Sequence, residues 1–287
     1  MRTDFAVFIL SHGRADRMLT VDALKKHGYT GKYYIIVDNE DETVPEYQSR
    51  FGKDNVIVFD KLAKSKHCDT CDNLPERNIV LYARNSCHEI AKFLGLTYFL
   101  ELDDDYVCFR SRYLDSEEVL RTAYIENLDQ VFDAMIEFLD TSGAYAIAFA
   151  QTGDFVGGSG SKVFRERITR KVMNSFFCRT DRPFEFMGRI NEDVNMYVTL
   201  GSRGQLFFTI AQISLDQQTT QQFGGGLTES YLALGTYVKS FYTVINNPSS
   251  VKVYVMGGSH KRIHHIIDWN KAVPKIVSSD FRKERTE

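Results

Sequence analysis

The run Phe5-Ala-Val-Phe-Ile-Leu10 constrains this chain more than any other segment, because all six residues are apolar. A strand with one face in water alternates polar and apolar residues. An unbroken short run reads instead as a strand covered on both faces, as in a parallel sheet sandwiched between helices. The run stops at the polar turn Ser11-His-Gly-Arg14, and a helix over about 16–27, closed by Gly28, is expected to follow. Tyr33–Val37 and Val56–Phe59 are further buried strands, the first ending in Asp38-Asn-Glu-Asp41. A helix over about 75–94 would set Ile79, Ala83, Cys87, Ile90, Ala91 and Leu94 on one face, with Gly95 closing it. Strand Tyr98–Leu102 then runs into Asp103-Asp104-Asp105. Strand, helix, strand, strand, helix, strand is the order of a doubly wound α/β sheet, which binds ligands outside the carboxyl ends of its strands. The polar strand ends at 11–14, 38–41 and 103–105 are therefore expected along one edge.

The second half is more mixed. Helices are expected at about 128–139 and 193–200, and strands at 144–150, 171–178, 205–213 and 251–255. Gly153–Ser161 is glycine-rich, and the polar stretch Gln217–Gly226 suits an active-site loop. With 287 residues and 43% hydrophobic content, the chain can bury one full core. A single domain over 1–287 is expected, with a nucleotide-binding half (1–110) and an acceptor-binding, catalytic half (111–287). No apolar run reaches the roughly 18 residues of a membrane helix, and no signal-peptide pattern opens the chain. Five scattered cysteines do not make a disulfide framework, so the expected setting is soluble and cytoplasmic, with no membrane and no obligate protein partner. A net charge of -3 excludes a global basic field for capturing polyanions.

Three adjacent carboxylates after a buried strand repel one another unless a cation joins them. Strand alternation would turn Asp103 and Asp105 to one side, where hard oxygen ligands suit Mg²⁺ or Mn²⁺ bridging to a diphosphate, and Asp104 to the other. A solvated acidic turn is the plain alternative. Asp38, at the second strand end, is placed to accept from a ribose hydroxyl or base N–H, or to form an ordinary Asx turn before Asn39. Arg84 and Asn85 lie on the helix before the acidic strand, and Arg84 could pair with a diphosphate or base. Glu192 and Asp193 open a short helix whose N-terminus favours ionised carboxylates, although Asn191 and Asp193 are also good capping types. His67-Cys68-Asp-Thr-Cys71 is half of a zinc site, but a second cysteine pair is missing. Between Lys162 and Arg182, seven basic residues, including Arg165, Arg167, Arg170 and Lys171, face only Glu166 and Asp181. Phe164, Phe176 and Phe177 interleave with them, as in a surface that tracks phosphates and stacks bases, though a solvated hairpin would have the same charge.

The segments 8–14 (FILSHGR), 37–41 (VDNED), 83–85 (ARN) and 99–106 (FLELDDDY) together resemble the nucleotide-binding half of family-2-like GT-A glycosyltransferases. The closer resemblance, extending through 187–195 (MGRINEDVN), Arg262-Ile-His-His265, Trp269 and 274–276 (PKI), is to the TET-associated glycosyltransferases of bacteriophages. It implies a GT-A fold with a mostly parallel, Rossmann-like sheet and a mixed C-terminal half. It also implies a UDP-sugar donor held near Ser11, His12, Arg14, Asp38, Asn39, Asp72, Arg84, Asn85 and Asp104, and Mn²⁺ or Mg²⁺ on Asp103 and Asp105. His264 or His265 is a candidate to complete the metal shell, and Asp193 or Glu192 to deprotonate the acceptor. The implied acceptor is 5-hydroxymethylpyrimidine in phage DNA, inside an infected cell. A pyrophosphorylase would carry a glycine-rich phosphate loop where this chain has only Gly13. A polysaccharide or protein acceptor, and a non-catalytic nucleotide- or DNA-binding module, are the remaining alternatives.

Overall fold

In the computed structural model, which describes residues 1–217, 238–256 and 262–274, strand β1 (Phe5–Leu10) is buried along its whole length. Its side chains alternate between two cores. Phe5, Val7 and Ile9 point into one, and Ala6, Phe8 and Leu10 into the other. The first core is closed by α1 (Leu19–Lys26) and α5 (Leu128–Ser142), and the second by α4 (Leu81–Phe93) and α7 (Glu192–Ser202). Each large apolar side chain so covered contributes about 1.5–3 kcal/mol, and Phe132 adds edge contacts to Phe5 at 5.9 Å and Phe177 at 5.4 Å.

β1 pairs in parallel with β2 (Lys32–Asp38) on one side and β4 (Tyr98–Asp103) on the other, and β2 in turn with β3 (Val56–Phe59). Helices α2 (Val44–Phe51) and α3 (Lys61–Ser65) flank β3 in sequence. Beyond β4 the sheet is mixed. Antiparallel β9 (Ser175–Arg179) joins β4 to β7 (Ala146–Gln151), β10 (Phe207–Gln217) runs parallel to β7, and the hairpin β5 (Tyr106–Leu114)–β6 (Leu120–Tyr124) forms the far edge. Two-residue β8 (Ile168–Thr169) pairs with β10, after the short helix α6 (Lys162–Glu166). A second, two-stranded sheet of β11 (Val251–Met256) and β12 (Arg262–Ile267) packs on α8 (Lys239–Asn246). The α/β class with a helix-flanked sheet is as expected. The carboxyl ends of β1, β2, β4, β7 and β10 all lie along one edge.

Several boundaries differ from the sequence reading for identifiable reasons. The helix expected from residue 75 begins at Leu81, because the carbonyls of Leu74 and Glu76 accept from the Arg189 guanidinium instead of from helical N–H groups. Residues 15 and 16 form a turn, with Arg17 N donating to Arg14 O, and α1 does not begin until Leu19. The strand expected over 171–178 is shorter and later. Phe176 and Phe177 lie on opposite faces of β9 and enter the two cores, and Phe164 is buried with Ala150 and Phe155. None of these three phenylalanines can stack on a base. β10 extends four residues beyond its expected end, to Gln217, and the 218–226 part of the polar stretch lies outside the described residues.

Candidate active site

The acidic run crosses the edge where the parallel strands end. Strand alternation stops at Asp103, since Asp104 and Asp105 form the turn between β4 and β5, so the three carboxylates are separated by the turn rather than by the pleat. Asp104 is 3% exposed and faces back into the protein. It accepts from Ser11 Oγ at 2.5 Å and Arg14 Nη1 at 3.0 Å, and Ser11 also bonds the Tyr47 hydroxyl at 2.7 Å. Asp105 takes both its oxygens to Gln217 Nε2, each at 3.0 Å. Burial first, and then the charge of Asp103, push the Asp105 carboxyl up to about 6.

Asp103 turns to Arg84, a fully buried guanidinium lying between the rings of Phe176 and Phe186 at 4.8 and 5.6 Å. Arg84 Nη2 donates to Asp103 Oδ1 at 3.2 Å and Nε to Glu192 Oε1 at 3.1 Å, while Nη1 lies 3.8 Å from Glu101 Oε2. Glu101 is wholly buried with neither oxygen hydrogen-bonded, and burial pushes its carboxyl up to about 8. The neighbouring Glu192 and Asp193 are also pushed up, by burial first and, for Asp193, then by Glu192. Asp193 Oδ1 accepts from Val194 N at 2.7 Å. One guanidinium thus serves three carboxyl groups, with a fourth, Asp193, next to Glu192.

Carboxyl groups crowded in this way fit a divalent cation, which would favour their ionised forms. Among the described residues no three His, Cys, Asp or Glu side chains stand together as a metal-holding group. Two carboxylates completed by diphosphate oxygens and water are the usual protein share of a Mg²⁺ site, and Asp103 with Asp105 matches that share. His264 is not grouped with them. It lies on β12 with its ring 4.5 Å from His265 and 6.3 Å from Tyr254, and His260 lies outside the described residues. The half zinc motif does not close either, and Cys68 and Cys71 are free thiols beside Asn85 and Asn246.

At the end of β2, Asp38 is 5% exposed and accepts from His12 Nδ1 at 2.7 Å and Lys61 Nζ at 3.2 Å. Burial opposes ionisation there, but those two partners hold the carboxyl below its ordinary range, and the same hydrogen bond raises the His12 imidazole. Asn39 accepts from Lys61 N at 3.0 Å. Asp72 and Asn85 are committed within the protein. Arg189 grips Asp72 bidentately at 2.7 and 2.9 Å and the Tyr242 hydroxyl adds a bond at 2.6 Å, while Asn85 spans the backbone N and O of Phe186. The basic segment divides. Arg179 pairs with Asp140 and Asp181, Arg182 donates to the carbonyls of Leu139 and Ala144, and Lys171 pairs with Asp154. Arg165, Arg167 and Arg170 are exposed, with Arg170 also donating to Trp269 O at 3.2 Å.

Glu101, Lys61 and Tyr47 were not singled out from sequence, and Gln217 was named only as the first residue of the polar stretch 217–226. Glu101 carried a usable signal, a charge inside an apolar strand two residues from Asp103 and so on the same face. Lys61 and Tyr47 reach the site only through tertiary contacts, and the bond of Gln217 to Asp105 is likewise set by the fold.

The family described as TET-Associated Glycosyltransferase matches residues 5–226 of the chain. No curated protein matches it. Among solved structures, a mannosyltransferase from Pyrobaculum calidifontis in complex with GDP-Man and Mn²⁺ superposes with a TM-score of 0.48 at 11% identity, covering 86% of this chain and 74% of that one. Glucosyl-3-phosphoglycerate synthase from Mycobacterium tuberculosis, in complex with Mg²⁺ and UDP, gives 0.47 at 10% identity, covering 92% and 87%. Mannosyl-3-phosphoglycerate synthase from Rubrobacter xylanophilus gives 0.43 at 12% identity, covering 92% and 86%.

Proposed function

The chain belongs to the TET-associated glycosyltransferases, and from that premise we propose that it moves a sugar from a UDP-sugar to the hydroxymethyl group of a 5-hydroxymethylpyrimidine in DNA. The observation that carries the chemistry is the gathering of Asp103, Glu101 and Glu192 around Arg84, with Asp193 beside them, at the carboxyl edge of the sheet.

The nucleoside sits against the β2 end, where Asp38 is oriented by His12 and Lys61. Asp104 takes no direct part. Its bonds to Ser11 and Arg14 fasten the first loop to the acidic turn, so that the nucleoside and diphosphate subsites keep one spacing. Mn²⁺ or Mg²⁺ held by Asp103 and Asp105 would neutralise the departing nucleoside diphosphate. Arg84 orients Asp103 and Glu192 together and so fixes the start of α7 relative to the metal carboxylates. Asp193 is the base. Its raised affinity for protons suits it to take the acceptor hydroxyl proton as that oxygen attacks the anomeric carbon and the diphosphate leaves. Glu192, tied to Arg84, is less free to do so. The exposed Arg165, Arg167 and Arg170 suit a phosphate backbone, which supports DNA over a glycan acceptor.

The test incubates the protein with Mn²⁺, a mixture of UDP-glucose, UDP-galactose and UDP-N-acetylglucosamine, and DNA containing 5-hydroxymethylcytosine, followed by mass spectrometry of the digested DNA. UDP release and a glycosylated nucleoside are expected. Release with a glycan or with unmodified DNA, and none with the hydroxymethylated DNA, overturns the acceptor assignment. Asp193→Asn should lower kcat about 10²–10⁴-fold, and full turnover by Asp103→Ala would refute the metal assignment.

A further inference from the structure

The loop that follows β7 carries a feature the donor site does not use. β7 ends on the same sheet edge as β4, and residues 152–161 leave it there. The loop is joined to the acidic turn in two steps. Thr152 Oγ1 donates to Asp216 Oδ1 at 3.2 Å, and the next residue, Gln217, holds Asp105. Its base is firmly built. Asp154 accepts from Gln151 N at 3.0 Å and pairs with Lys171, and its carbonyl accepts from Ser161 Oγ at 2.7 Å. Phe155 is 8% exposed and packs on Phe164. Val156, the next residue, is 82% exposed. Gly157 and Gly158 follow with φ of +98° and +60°, a left-handed turn that takes the backbone away and leaves the valine at the tip. A valine presented to water on an anchored loop forgoes the stabilisation of burial, and its flanks are net basic, with Lys162, Arg165 and Arg170 exposed and Lys162 in a surface pair with Glu166 at 3.6 Å.

We infer that Val156 is a wedge for duplex DNA, entering the base stack beside the target pyrimidine while Lys162 and Arg165 hold the flanking phosphates. Apolar side chains inserted between base steps unstack them, and enzymes acting on a base commonly extrude it from the stack. The positive flanks match the duplex backbone in charge, and the loop's connection to Asp105 through Gln217 sets the opened step next to the site of transfer. The inference rests on the DNA acceptor reading and adds to it the form of the acceptor, a paired duplex, and the residue that opens it.

The test needs no sugar donor. A duplex carrying 5-hydroxymethylcytosine, with 2-aminopurine as its 3′ neighbour, is titrated with the full-length protein, and binding is followed separately by anisotropy. Saturation should raise the 2-aminopurine fluorescence severalfold as the step unstacks. Val156→Ser should bind yet lose most of that rise, Val156→Met should keep it, and Phe93→Ser, which changes an exposed apolar residue on α4, should match the unsubstituted protein. A rise undiminished in Val156→Ser, or no rise from a saturated complex of the unsubstituted protein, overturns the wedge while leaving a DNA acceptor standing. Failure to bind hydroxymethylated DNA in any form overturns both.

Discussion

Arg84 concentrates the energetics of the site in one residue. Its guanidinium is 2% exposed and compensates Glu101, Asp103 and Glu192 at once. Removing one partner of a buried ionic cluster leaves the others uncompensated, which costs about 3–5 kcal/mol. Arg84→Ala should therefore lower the unfolding free energy measured in urea by that amount as well as abolish transfer, and unchanged unfolding would show that the carboxyls relax by taking up protons. His88 makes a second residue-scale prediction. It lies between the rings of Phe99 and Phe184 at 4.9 and 5.2 Å, with neither ring nitrogen hydrogen-bonded, and burial lowers its pKa to about 4. The unfolded value is about 6.5. The unfolded chain therefore binds this proton first as pH falls, so the stability held by neutral His88 is complete above about pH 6.5 and is lost between there and pH 4, by up to about 3 kcal/mol. His88→Phe should flatten the fall in Tm across that window, and an identical pH profile in the variant would refute the assignment.

At the scale of elements, the start of α7 depends on how the chain enters it. Gly188 has φ +90°, and a Cβ there would stand 2.4 Å from Asn195 Nδ2. That amide donates to the carbonyls of Met187 and Ile190 and fastens the approach to the helix. Asn191, at φ 56°, donates to Lys239 O at 2.8 Å and Thr243 Oγ1 at 3.1 Å, which ties the same point to α8. Gly188→Ala should cost about 1–3 kcal/mol of stability. It should also lower kcat more than it raises KM for donor, because Glu192 and Asp193 sit one turn further on. A variant of normal stability and activity would show that the approach to α7 is adaptable.

For the whole molecule, the mixed sheet sets a gradient of protection. β1 and β4 lie inside the sheet between two helical layers, whereas four of the five residues of edge strand β6 are exposed. Native-state hydrogen exchange should find β1 and β4 amides opening only with global unfolding and those of β6 far sooner. Equal protection of β6 and β1 would mean that the edge is covered in solution. Among the described residues no helix is long and apolar enough to cross a membrane.

What the sequence determined by itself follows from local chemistry. The six apolar residues of β1 cannot face water, so they demand a parallel sheet between helices, and parallel strands must deliver their polar ends, Ser11, Asp38 and Asp103, to one edge. What only the tertiary structure decided is which charges meet there. Lys61, Tyr47, Arg189 and Gln217 are separated from their partners by 23, 36, 117 and 112 residues. No period or spacing records such pairings, because they arise from the order in which strands assemble across the sheet. The same rule divided the basic segment. Phe176 and Phe177 went to the cores because β9 is an interior strand, and Arg179 and Arg182 were drawn to nearby carboxylates and carbonyls, leaving Lys162, Arg165, Arg167 and Arg170, on α6 and just after it, to carry the exposed charge.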